Sequence, residues 1–207
     1  VITDAKYGEL RQLAVKDDNT AILSYINMGM LELYKRFSLR TEEAIVTLSA
    51  IDTLYSLDPT LPNVDMVDDC DLIYIVGIYD EDGNPVEMNN EDEPLSVLTP
   101  SYDTIQVPSP ADNTYLSVIY VATPTRLTST TSKIKLPSSL YEALLHYIGY
   151  RGHGSIDGNI NTENNTHYMR FEKSCETAKA YGLVTADEIP YRRVEIKGFL
   201  WEDKVVW

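Results

Sequence analysis

Carboxylates dominate what this 207-residue chain could do chemically: it has 32 Asp and Glu residues against three His and two Cys. Asp80, Glu81, Asp82 and Gly83 open like a calcium loop. An EF-hand, however, needs its glycine at the sixth position and a bidentate Glu at the twelfth. Here glycine comes fourth, where a hairpin turn wants it, so a turn is expected. Asp65, Asp68, Asp69 and Asp71 form a denser patch that could gather a divalent ion, but such a run reads first as a solvated loop. Glycoside hydrolysis would need one carboxyl kept protonated by an apolar setting, and no spacing singles one out. His146, His153 and His167 have no cysteine at ligand spacing, and there is no HExxH, no GxSxG elbow and no phosphate-binding glycine loop. The Gly152-His153-Gly154 step reads as a hinge. No catalytic, cofactor or metal set is expected, and no cofactor.

The charge is segregated. From Thr41 to Thr125 the chain has 17 acidic residues and no Lys or Arg, while the other 122 residues carry 17 basic and 15 acidic ones. The net charge of −15 is therefore a segment of −17 between flanks that sum to +2. Gripping nucleic acid takes a cluster of cations, and 85 consecutive residues offer none. An acidic wall can still serve beside DNA by repelling the polymer it lets pass. The plainer alternative is an acidic outer face that keeps the protein soluble.

The elements around these residues are of two kinds. Residues 4–16 suggest a short helix, with Tyr7, Leu10 and Ala14 on its inner face. In residues 20–37 the apolar positions Ile22, Ile26, Met30, Leu33 and Phe37 recur at helical spacing, and Lys35 and Arg36 complement the dipole of the last turn. That stripe reads as core rather than as a ligand surface. After Arg40 the period becomes two. Strands are expected at 44–48, 53–57, 72–79, 86–88, 101–107 and 115–122, with prolines marking the gaps. A second helical region begins at Pro137, with Ser139 and Glu142 spaced as a capping box. Leu140, Leu144, Tyr147 and Ile148 form its stripe, and Gly149, Gly152 and Gly154 are expected to loosen it into a loop. Tyr168, Phe171, Cys175 and Ala178 mark a further helix, with Gly182 as its C′ residue.

No apolar run approaches the ~18–20 residues of a membrane span, and VITDAKYGEL has no signal-peptide pattern, so export is not expected. Cys70 and Cys175 lack framework or metal-site spacing, which fits synthesis in a reducing cytosol, though a single tertiary disulfide stays open. The last stretch, IPYRRVEIKGFLWEDKVVW, holds four of the 17 basic residues and both tryptophans. Two tryptophans in so short an arm need burial, either against the chain's own domain or in a neighbour.

The order of these parts resembles the head-to-tail adaptors of short-tailed bacteriophages, also called connector, gatekeeper or tail tubular A-type proteins. The residues that carry it are a strand ending in Thr-Pro (Tyr120 to Pro124), Leu136-Pro137, the helix from Ala143 to Tyr150, and Tyr168 to Phe171. The stretch TAILSYINMGMLELYKRF (20–37) is similar to the family's I-L-x-Y-I-N-x-x-x-x-E-L helix. Together they span about half of the chain, and their order is more specific than any one of them.

The resulting expectation is an α+β chain: a helical bundle body (1–40 and 126–184), an inserted acidic antiparallel β-sandwich or barrel-like module (41–125) and an extended C-terminal arm (185–207). The resemblance implies a non-enzymatic virion protein, synthesised in the host cytoplasm and placed at the head-tail junction. It would form a dodecameric ring that joins the portal to the tail nozzle, a tail tubular B-type protein, and to tail fibres, and that extends the DNA ejection channel. Double-stranded DNA would pass without specific binding, and no membrane is involved. The arm would clamp the portal through Tyr191, Phe199, Trp201 and Trp207 as apolar anchors and Arg192, Arg193 and Lys197 as polar contacts. The rival expectation is a phage glycan-binding or cell-wall-hydrolysing β module fused to helices, and a third is a monomer that turns its acidic face to a basic partner.

Overall fold

Period-two and period-3.6 patterning separate cleanly in three dimensions. The computed structural model of the chain describes residues 19–90, 92–129, 131–157 and 166–182. The helix expected at 4–16 and the whole arm, with Tyr191, Arg192, Arg193, Lys197, Phe199, Trp201 and Trp207, lie outside the described residues. Within them the order is α1 (Asn19–Phe37), β1 (Thr41–Thr47), β2 (Leu54–Ser56), β3 (Val64–Asp65), β4 (Leu72–Tyr79), β5 (Pro85–Val86), β6 (Leu98–Ser101), β7 (Thr104–Gln106) and β8 (Tyr115–Ala122). A 3₁₀ turn (Ser138–Leu140), α2 (Tyr141–Asp157) and α3 (Thr166–Ala180) follow. The described chain is α+β, with three helices and two antiparallel sheets, and it divides into a helical unit and a β unit running Ser38–Thr123.

In the β unit, one sheet has the order β3-β1-β8-β4-β5 and the other β2-β7-β6. Neither closes, so among the described residues there is no barrel. The edge strands β3 and β5 are two residues long and present too short a ladder to be paired across. The register sets the faces: Ala44 opposes Val118 and Val46 opposes Leu116, while Ile78 opposes Val118 from the other side. These residues join Tyr120 and Ala122, with Tyr55, Ile105 and Val107 from the second sheet, in one buried cluster. Each such side chain contributes about 1.5–3 kcal/mol by leaving water. On the other face of β8, Ser117, Ile119 and Val121 are buried as well, which is why this strand reads as a continuous apolar run rather than an alternating one. There the Ser117 hydroxyl donates to the buried Glu43 carboxylate. The expected strand at 101–107 is in fact a hairpin, since the chain turns at Tyr102 and Asp103 between β6 and β7.

The helical unit is built on α1. Ile22, Ile26, Met30, Leu33 and Phe37 are all buried, as their spacing requires. Gly29 admits α2 at close range, since a Cβ at this position would come 2.6 Å from Leu144 Cδ1. Tyr147 of α2 meets Phe171 of α3 with ring centroids 5.2 Å apart, edge to face, and Tyr150 meets Tyr168 at 5.0 Å. Two polar straps hold the segment leading to α2 against α1. Asn27 donates from Nδ2 to Leu127 O and accepts from the Leu127 amide, both at 2.9 Å, and the Tyr34 hydroxyl donates to Lys135 O at 2.9 Å.

Two local expectations fail in this unit. Gly149 and Gly152 do not end the helix: both are buried inside α2, which runs on to Asp157. The capping box does not form either, because Ser139 falls inside the 3₁₀ turn, where its Oγ has no partner among the described residues, and Glu142 turns instead toward His146. Gly182 does close α3 as expected, with φ +61° and its amide on Lys179 O at 3.0 Å.

Candidate functional site

Several of the carboxylates whose spacing suggests chemistry are engaged in local structure. Asp80 folds its own turn: its carboxylate accepts the amides of Asp82 and Asn84 at 3.0 and 2.8 Å, and Gly83 takes φ +77°. Asp65 belongs to β3, opposite Ile45, and Asp69 accepts from Arg40 at 2.7 Å. Among the described residues no three His, Cys, Asp or Glu side chains are grouped to hold a metal ion. Cys70 and Cys175 are both free thiols, and burial pushes the Cys175 thiol up to about 11. No helix among the described residues is long and apolar enough to cross a membrane.

A different set converges where α3 passes the start of α2. On α3 the apolar stripe Phe171, Cys175 and Ala178 is buried. Arg170, Lys173, Ser174 and Thr177 repeat at i, i+3, i+4 and i+7, so they form a second stripe beside it. They line a cavity of about 570 Å³, whose other side is made by Ser139, Glu142 and His146. Packing places each wall: Leu140 is fully buried and fixes the 3₁₀ turn that carries Ser139, while His146 lies among buried neighbours on α2 and is only 7 % exposed. The His146 ring stands 6.0 Å from that of His167, so the helix pair brings together two of the three histidines.

The electrostatics of this cavity follow from which cations are already spoken for. Arg36 is held by Glu32 at 2.9 Å and by both oxygens of Glu172 at 2.7 and 2.8 Å. Hydrogen bonding to Glu172 raises the Arg36 pKa, and the same guanidinium holds the Glu172 carboxyl below its usual range. Arg40 is likewise shared between Glu42 and Asp69. Among the described residues Arg170 and Lys173 have no carboxylate partner, and both are exposed at the cavity. The one acid there, Glu142, lies 3.5 Å from His146 Nε2 and keeps 77 % of its side chain in solvent. Two cations and several hydroxyls around one space can hold an oxyanion. The stripe is legible in the sequence as the polar complement of the Phe171 face, at positions that core periodicity does not mark.

The family model that matches the chain is that of the SU10 adaptor protein, over residues 5–188. No curated protein matches it.

Proposed function

The chain belongs to the SU10 adaptor protein family, structural adaptors of bacteriophage virions, and on that premise we propose that it is the ring-forming subunit joining the portal to the tail nozzle. The observation that carries this reading is the family match, which leaves only the chain's ends uncovered. The fibre-bearing tail would attach on the side away from the portal, and the ring, a dodecamer, would continue the DNA channel. Its role is non-catalytic: it holds a joint and lets a polymer through.

The charge distribution supports this. A duplex carries one negative charge per ~1.7 Å of its axis, and a segment of −17 with no cation over 85 residues repels it rather than slowing it. Copying one subunit around a closed ring needs two unlike, complementary faces, and the acidic and near-neutral parts of this chain differ as such faces must. In this reading residues 1–40 and 126–184 form the ring body, 41–125 the acidic module, and 185–207 an arm that clamps the portal through Tyr191, Arg192, Arg193, Lys197, Phe199, Trp201 and Trp207.

Light scattering tests this directly. The chain mixed with portal protein should run as a complex with many adaptor copies per portal, and removal of residues 189–207 should abolish attachment without altering the thermal transition. A full-length chain that never associates with portal at any concentration would end the proposal.

A further inference from the structure

We infer that the cavity between the start of α2 and α3 is a carboxylate-receiving site, and that its occupant is an acidic segment from the β unit of a second copy of this chain. The inference rests on the ring reading and gives it a specific contact.

Three observations point to the ligand chemistry. Arg170 and Lys173 stand one turn apart at the cavity with no acidic partner among the described residues, while Arg36 and Arg40 are each shared by two carboxylates. Ser139 Oγ is buried at the same cavity and makes no hydrogen bond among the described residues. A buried hydroxyl without a partner is costly, and turning it toward an acceptor that arrives in the cavity removes that cost. The positive end of α2 adds roughly half a charge. Against this stands Glu142, which is largely in water. The balance is net positive, between one and two charges, suited to a single carboxylate with hydroxyl donors around it.

The source follows from charge complementarity. Residues 41–125 offer 17 carboxylates and no competing cation. Asp68, Asp92 and Glu93 are exposed on that unit, and their carboxylates have no partner among the described residues. Duplex DNA is the other polyanion at hand. It is gripped by stripes of cations that match many phosphates, and two cations in a cavity are not such a stripe. A carboxylate of one copy in the cavity of the next would also give the contact the head-to-tail direction that a ring needs.

The test uses the full-length chain. Equal amounts of ¹⁴N- and ¹⁵N-labelled protein are assembled and treated with a water-soluble carbodiimide, which joins an amine to a carboxylate only when they touch. Mass spectrometry should find Lys173 joined to an Asp or Glu of residues 41–125 in mixed-isotope pairs. The double variant Arg170→Glu, Lys173→Glu changes only exposed side chains, so circular dichroism should match the wild type while the association constant falls tenfold or more. Lys173 crosslinks confined to single-isotope pairs would overturn the inference, and so would a variant that assembles as well as the wild type. In either case the ring reading would stand if the wild type still assembles. A wild-type chain that stays monomeric with and without portal would remove both. Loss of binding to a 30-base-pair duplex, with assembly intact, would reassign the cavity to phosphate and overturn the second-copy occupant.

Discussion

Arg36 reaches from α1 to α3 and meets Glu172 through two hydrogen bonds, with the Phe171 ring 4.7 Å from its guanidinium carbon. A bidentate pair of this kind fixes direction as well as distance, so it sets the rotation of α3 that turns Arg170 and Lys173 to the cavity. Its side chains are about a third exposed, and solvent screening keeps its worth near the upper end of surface pairs, about 1 kcal/mol. Glu172→Gln should therefore lower the melting temperature by about 2–4 °C at neutral pH. Because the Glu172 pKa is lower in the folded chain, its contribution is complete above the unfolded value of about 4.3. It is lost as pH falls through the folded one. Thermal melts of both proteins should thus differ at pH 7 and converge on acidification, and a gap that is constant with pH would refute this role. Asn27 is the residue whose part was hidden in the sequence. It was visible as a fixed position of a helical motif, but a partner 100 residues away in irregular chain leaves no local periodicity to read.

At the scale of elements, legibility followed how much of each element's identity was local. β4 and β8 were read to the residue because β-branched and aromatic runs are bounded by turn residues on both sides. β3 has no such local signal, since two residues, Val64 and Asp65, form a strand only because Val46 and Ile45 pair with them. α2 outruns its sequence expectation because glycine's propensity, roughly 1 kcal/mol against helix, is outweighed by the burial of Gly149 and Gly152. The connection between β8 and α2 shows the same dependence on distant partners. It is pinned at Leu127 and again at Lys135, and between the pins Thr128, Ser129, Thr131, Ser132 and Lys133 are exposed. Limited trypsin digestion should therefore cut after Lys133 before any other site between Asn19 and Asp157. Arg40 should be spared, because its carbonyl accepts the Ala122 amide at 2.9 Å and its side chain is held by Glu42 and Asp69. Peptide mapping of the first fragments checks this, and an initial cut at Arg40 would contradict it.

Over the whole molecule, α1 bonds partners that follow it by 100, 101 and 136 residues, whereas among the described residues the β unit is one uninterrupted stretch from Ser38 to Thr123. The chain is made from its N-terminus, at about 5–20 residues per second, so α1 leaves the ribosome long before Leu127, Lys135 or Glu172 exists. The strands find their own neighbours first, and the helical unit closes only when translation is nearly finished. Stalled nascent chains report this sequence of events. Chains exposing residues through Thr123 should resist protease across the strands yet be cleaved within α1, and protection of α1 should begin only when α3 has emerged. Protection of α1 in the shorter chains would contradict that order. The cavity needs α2 and α3 side by side, so a half-made polypeptide has nothing with which to capture a neighbour's acid. Polysomes carry many incomplete copies in close proximity, and with the contact inferred above this late closure would keep them from joining one another before each is complete.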